Sequence, residues 1–127
     1  MKKLFALALI ATLGISAQAQ NKNAKHDLTV KGNCGLCKDR IEKAAYSVKG
    51  VKSAEWDESS QNLHIILNES KNKVDAVVNA VVAVGHDTNA KRADDKVYES
   101  LHSCCLYDRD EVEAKQAVEN PHANHQH

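Results

Sequence analysis

The four cysteines of this chain stand in two close pairs, Cys34/Cys37 and Cys104/Cys105. The first pair lies in Gly32-Asn33-Cys34-Gly35-Leu36-Cys37. Two thiolates at this spacing, at the opening of a helix, converge on one point. The helix start carries partial positive charge and unpaired N–H groups, and Lys38 and Arg40 follow directly. Both effects favour the thiolate, the form that binds metal. Thiolates select soft ions such as Cu(I), Zn(II) or Hg(II) over Mg(II) or Ca(II). Two sulfurs suit a low-coordinate ion, Cu(I) first, because closed structural zinc sites normally take four ligands.

The second pair ends Leu101-His102-Ser103-Cys104-Cys105. Adjacent cysteines are poorly placed to bond to each other, and four cysteines allow three connectivities. Three readings stay open. Cys104 and Cys105 complete the first site, form a second soft site with His102 or the terminal imidazoles, or bridge to Cys34/Cys37 or to another chain once oxidised. His122, His125 and His127 end the chain as His-x-x-His-x-His, a pattern that collects Cu(II), Zn(II) or Ni(II) weakly or serves as a solvated tail.

Composition narrows the alternatives. Seventeen basic residues balance seventeen acidic ones among 127. A nucleic-acid partner is not expected, since phosphate-driven binding needs clustered excess Lys/Arg, and 4% aromatic residues leave no stacking surface for single strands. Met1-Lys2-Lys3 followed by an apolar run from Leu4 to Ile15 and by Ala17-Gln18-Ala19 reads as a secretory signal peptide over residues 1–19, cut before Gln20. The run is too short to span a bilayer. The expected compartment is the periplasm or the exterior, where thiols are oxidised or metal-bound. No phosphate loop, nucleophile elbow or His-Glu-x-x-His motif occurs, and no enzyme activity is expected.

The elements that must position the cysteines emerge from periodicity. Asn21 to His26 is polar and reads as a loose leader. His26 to Lys31 alternates as a half-buried strand. From Cys37, Ile41, Ala44, Ala45 and Val48 recur on one helix face, stopped at Lys49-Gly50. Val51, Ala54 and Trp56 mark a second strand with Trp56 facing the core. Leu63, Ile65 and Leu67 mark a third strand, and Ser70 is the expected cap of the second helix. In that helix, Val74, Val77, Val78, Val81 and Val82 favour strand by composition but helix by spacing, and the spacing decides for a helix closed by Gly85. His86 to Lys91 is the expected fourth strand. Asp94 to Leu101 and Asp110 to Glu119 read as short helices.

The order β-α-β-β-α-β gives an α+β, ferredoxin-like sandwich. A four-stranded antiparallel sheet would carry two helices on one face, plus a partly helical C-terminal extension. The expected domain spans residues 26–92, the extension with the Cys-Cys pair 93–120, and the histidine tail 121–127. This topology brings Cys34, Cys37 and His86 to one end of the molecule.

The stretch from Leu28 to about Ala90 resembles the heavy-metal-associated domain. The resembling residues are Val30 to Cys37, Ile41-Glu42-Lys43-Ala44, Gly50-Val51 with Ala54 and Trp56, and Gly85-His86. The family includes copper chaperones, the amino-terminal modules of copper-transporting ATPases and periplasmic mercury-binding proteins. The resemblance implies that Cys34 and Cys37 hold a soft ion and exchange it with partner thiolates. The partner it implies is a metal-transporting membrane protein or efflux component. It also leaves room for an ion shared between the loops of two copies. The family loop usually reads Gly-Met-x-Cys-x-x-Cys, with the methionine packed beneath it. Gly32-Asn33-Cys34 is one residue shorter and lacks that methionine. His86 stands where the family often has Tyr or Phe, as a third ligand or a polar neighbour. The competing readings are a thiol-disulfide redox protein using the Cys-x-x-Cys pair and a small domain stapled by two disulfides. Cys-Gly-Leu-Cys resembles the thioredoxin loop, but a thioredoxin-like fold needs a cis-proline opposite the dithiol, and Pro121 in the tail is the only proline.

Overall fold

The computed structural model describes residues 21–109. The leader at 1–19, the charged segment Asp110 to Glu119 and the tail at 121–127 lie outside the described residues.

Alternation of buried and exposed side chains produces strands β1 (Ala24–Thr29), β2 (Val51–Asp57) and β3 (Asn62–Leu67). They form an antiparallel sheet in the order β1-β3-β2. The central strand buries Leu63, Ile65 and Leu67 on one face, while His64 on the other is in register with Asp27 and Glu55 of its neighbours. Strand β1 begins earlier than its composition suggests: Ala24 and Lys25 pair with Leu67 and Ile66. Pairing along a buried central strand outweighs the polarity of the segment expected as a loose leader.

Helices α1 (Gly35–Tyr46) and α2 (Val74–Ala83) pack against each other and share one core with the buried face of the sheet. Helix α1 contributes Cys37, Ile41, Ala44 and Ala45 and α2 contributes Val77 and Val81 to this core, while Val78 and Val82 of α2 form a smaller buried cluster with Ala93. The valine-rich segment is helical because one helical face buries four of its valines, and that burial exceeds their modest strand preference. Ser70 does not cap α2. Its N–H and hydroxyl both go to Asn68 Oδ1, and Lys73 occupies the N-cap without a side-chain bond.

The sheet has three strands among the described residues, not the expected four. Residues 86–91 lie beside the end of β1, but only Val30 and Thr88 form a bridge there, flanked by the bonds Lys31 N–H to Asp87 O (2.8 Å) and Asn89 N–H to Thr29 O (3.1 Å). The segment then turns. Thr88 N–H donates to Lys91 O (2.8 Å), and Thr88 Oγ1 accepts from the Ala90 and Lys91 N–H groups. Asp87 is drawn into a buried side-chain network instead of a ladder. With few apolar residues to bury, the local hydrogen-bonded turn wins over strand extension.

Of the expected extension, the described residues contain α3 (Asp95–Glu99) and a 3-10 turn (Ser103–Cys105). The helix expected over Asp94 to Leu101 is shorter because Asp94 is its N-cap, accepting from the Lys96 and Val97 N–H groups, and Ser100 closes it. The chain then doubles back. Leu101 rests on Gly85, where φ is +100° and a Cβ would meet Leu101 Cδ2 at 2.9 Å. Tyr107 donates its hydroxyl to Gly85 O (2.7 Å) and accepts the Asp87 N–H (2.8 Å). Arg109 donates from Nε and Nη2 to the two oxygens of Asp87 (2.7 and 2.8 Å) and from Nη2 to Ala93 O (2.7 Å). Its guanidinium lies 4.3 Å from the Tyr98 ring centroid. Residues 101–109 therefore form a strap latched at both ends onto the body of the domain.

The latch gives the first test. Asp87→Ala takes away the buried, two-bond carboxylate of Arg109 and leaves it only the exposed Asp95, which costs about 3–5 kcal/mol. Urea denaturation of the reduced, metal-free protein is expected to show that loss, whereas Asp94→Ala removes only a cap and costs about 1 kcal/mol.

Candidate metal centre

The cysteine loop is set by three elements meeting at one end of the sheet. Beyond β1, Val30 N–H donates to Gln61 O (2.8 Å) in the β2–β3 turn. Gln61 also clasps Gly32 from both sides: its Oε1 accepts the Gly32 N–H (3.0 Å) and its Nε2 donates to Gly32 O (2.8 Å). Gln61 takes a positive φ of 60° to do this. Beneath the loop lies Trp56, fully buried, whose Nε1 donates to Val30 O (3.0 Å). A Cβ on Gly32 would stand 3.0 Å from both the Trp56 ring and Cys37 Cβ. The indole thus supports the loop from below, and only glycine fits above it.

Cys34 has extended backbone and is the N-cap of α1, and its carbonyl accepts the Lys38 N–H (3.0 Å). No side-chain hydrogen bond caps this helix, so the positive end of α1 faces the sulfurs. Cys37, in the first turn, is fully buried. Cys34 Sγ lies 3.5 Å from Cys37 Sγ, and Cys37 Sγ accepts the Asn33 N–H at 3.5 Å. Lys38 does not serve the thiols as its sequence position suggests. Its ammonium is held by Glu42 Oε1 (2.6 Å) and Trp56 O (2.7 Å).

The strap carries the second pair into this site. Cys34 Sγ lies 3.1 Å from Cys104 Sγ and 3.5 Å from Cys105 Sγ, and the latter two are 3.9 Å apart. Cys34, Cys104 and Cys105 form the one metal-sized group of three such side chains among the described residues, with all three sulfurs within 4.8 Å of one another. Cys104 is exposed, Cys34 half-buried and Cys105 fully buried. All four thiols are unbridged.

Electrostatics divides these thiols. Burial alone would raise the Cys34 pKa, but hydrogen bonds from Cys104, from the Cys37 N–H and from Cys105 and Cys37 outweigh it and bring it to about 7. Cys104 is shifted upward by its bond to Cys34 and by burial. Cys105 is pushed far up by burial and by its sulfur neighbours. The group gives up its first proton at Cys34 and resists losing further ones next to that charge.

The two candidate histidines stand differently. His86 is fully buried. Its Nδ1 is 2.7 Å from Lys31 O, so Nδ1 carries the proton and donates it, and its ring stacks on Tyr107 (5.6 Å, 22°). Nε2 is buried without a partner. Burial, reinforced by the Arg40 charge, lowers the His86 pKa and keeps the ring neutral. His86 and His102 are both outside the group of three sulfurs. His86 ties the end of β1 to the strap, and His102 is the N-cap of the 3-10 turn, its carbonyl accepting the Cys105 N–H (2.7 Å). His122, His125 and His127 lie outside the described residues.

Sequence reasoning missed Asp87, Tyr107, Arg109 and Gln61. One signal was available for the strap. Two of the three tyrosines, Tyr98 and Tyr107, stand in the extension, more aromatic surface than a solvated tail needs.

No protein-family model matches the chain, and no curated protein matches it. Among solved structures, the CopZ metallochaperone is 29% identical, the match covering 51% of this chain and 98% of that one with a TM-score of 0.50. The N-terminal domain of a potential copper-translocating P-type ATPase from Bacillus subtilis, in its Cu(I)-loaded state, is 24% identical. That match covers 59% of this chain and 95% of that one with a TM-score of 0.51. Oxidized MerP from Ralstonia metallidurans CH34 is 19% identical over 52% of this chain and 96% of that one, with a TM-score of 0.46. In fold the chain is similar to the heavy-metal-associated, metal-binding domains.

Two outcomes are expected. The Cys34 thiolate is half populated near pH 7, so alkylation of the reduced, metal-free protein by iodoacetamide accelerates as pH rises through about 7. Cys104 modifies only at higher pH, as peptide mapping of the labelled protein can check. Gly32→Ala forces the loop off Trp56 and costs about 1–3 kcal/mol by overpacking, measurable by urea denaturation.

Proposed function

We propose that this protein is a periplasmic or secreted soft-metal-binding protein, not an enzyme. It carries, buffers or hands over the ion by thiolate ligand exchange. Cys34 and Cys37 are the primary ligands and Cu(I) the first cargo, with Zn(II) and Hg(II) as the alternatives. The observation that carries the reading is the Cys34–Cys37 sulfur pair, 3.5 Å apart at the uncapped start of α1, with the Cys34 pKa brought down to about 7. A thiolate available at neutral pH, on a loop with one half-buried sulfur, binds a soft ion and remains reachable by an incoming thiol. Likeness to a metallochaperone at 29% identity supports the assignment. The partner class we propose is a metal-transporting membrane protein or efflux component, a reading that agrees with the likeness in fold to a domain of a potential copper-translocating P-type ATPase.

Anaerobic titration of the reduced protein with Cu(I) against a competing chelator tests this. One tightly held ion, lost in Cys34→Ser/Cys37→Ser, is the expected result. Unchanged affinity in that variant would overturn the assignment. The thiol-disulfide reading predicts turnover in a disulfide-reduction assay, and none is expected. Protein recovered from the periplasm should have a mass corresponding to an amino terminus at Gln20.

A further inference from the structure

The strap is placed where an exposed metal loop would be open. A soft ion held by two sulfurs on such a loop leaves through attack by an outside thiolate. That thiolate must approach the ion on the side not covered by its own domain. In this chain Cys104 Sγ and Cys105 Sγ already stand 3.1 and 3.5 Å from Cys34 Sγ. Ion–sulfur bonds of about 2.3 Å separate sulfurs in a trigonal or tetrahedral set by about 3.8–4.0 Å. Of the distances among Cys34, Cys104 and Cys105, the 3.9 Å pair already has that spacing, the 3.5 Å pair needs a few tenths of an ångström of expansion and the 3.1 Å pair under about 1 Å, within reach of side-chain rotation at the exposed Cys104.

The placement is built, not incidental. Cys105 is fully buried and packs in the hydrophobic core, so its sulfur is held in one position. The 3-10 turn that presents it is closed by Cys105 N–H to His102 O (2.7 Å) and Tyr107 N–H to Cys105 O (3.0 Å). On one side of the turn Leu101 sits on Gly85. On the other, Tyr107 and Arg109 are bonded to Gly85 and Asp87. The strap is therefore held independently of any ion.

Resting on the soft-metal-binding function, we propose that Cys104 and Cys105 are ligands in cis, so that one Cu(I) is held by Cys34, Cys104 and Cys105. Cys37, fully buried and 3.5 Å from Cys34 Sγ, is the second sulfur of the two-cysteine site that holds the ion when the strap is away, and the strap occupies the positions a partner's thiolates must take. On loading, three Cu–S bonds form as the ligands that carried the Cu(I) leave it, the thiol protons pass to solvent and copper remains Cu(I). On handover, an incoming thiolate forms a Cu–S bond as a strap Cu–S bond breaks. The released strap sulfur takes a proton from solvent, and no electron moves. Handover thus requires strap displacement, which makes this protein a slower and tighter holder than a bare two-cysteine loop.

The test uses the full, reduced, signal-free chain loaded anaerobically with one Cu(I). X-ray absorption at the copper edge is expected to count three sulfur ligands in the wild type and two in Cys104→Ser/Cys105→Ser. Chelator competition is expected to show that variant weaker by more than about 100-fold, beyond what loss of a merely supporting partner costs, and quicker to lose copper to a dithiol acceptor. Asp87→Asn/Arg109→Gln, which unlatches the strap and keeps all four cysteines, should also speed transfer. Two sulfurs in the wild type would overturn the proposal whatever the variants do. So would a Cys104/Cys105 variant of unchanged affinity while Cys34→Ser/Cys37→Ser abolishes binding, and this outcome would leave the two-cysteine function standing. Unchanged binding in both variants would overturn that function as well.

Discussion

Asp87 and Arg109 are a buried ion pair, and a buried pair holds only where both charges are fully bonded, because removing two ions from water costs several kcal/mol each. Here the condition is met. Asp87 accepts two bonds from Arg109 and one from the Ala93 N–H, while Arg109 also reaches Ala93 O and Asp95. The pair joins two parts of the chain that are 22 residues apart. One lies beside the end of β1, next to the metal loop, and the other closes the strap. The four bonds of Arg109 to Asp87, Ala93 and Asp95 hold the end of the strap in place. That place puts Cys104 and Cys105 against Cys34.

The sulfur cluster results from that constraint and from α1. An uncapped helix start and three thiol neighbours make Cys34 the group that ionises first. The Cys34 sulfur and burial hold the strap thiols on the protonated side. The arrangement holds a pre-formed set of donors without the repulsion that several adjacent thiolates would bring. His86 supports the same arrangement from below. As a neutral ring between Lys31 O and Tyr107, it couples the position of the loop to that of the strap.

Much of the body was legible from the chain alone. Three strands and two helices stand where alternation and helical spacing put them, and Trp56 faces the core. The valines of α2 show why spacing is the better guide: a face that buries side chains outweighs a weak intrinsic preference. The fourth strand shows the reverse. Residues 86–91 have the position of a strand but not the apolar alternation, and Thr88 and Asp87 offer the backbone and the strap better partners than a ladder. The extra pairing of Ala24 and Lys25 was hidden for a related reason, since it depends on the length of β3 and not on their own polarity.

The sequence determined that Cys34 and Cys37 share one turn, because a helix start fixes the reach of two thiols three positions apart whatever lies beyond it. It also determined that a strand precedes them and that a soft ion is the chemistry they suit. It left three fates open for Cys104 and Cys105, since seventy residues of chain separate Cys104 from Cys34 and spacing says nothing over that distance. Only the tertiary structure brought their sulfurs within 3.5 Å of Cys34. That placement was made by contacts remote from the cysteines, Leu101 on Gly85, Tyr107 on Gly85 and Asp87, and Arg109 on Asp87. Each of these depends on where a turn or a buried charge lies in space, and no local pattern of residue types encodes that.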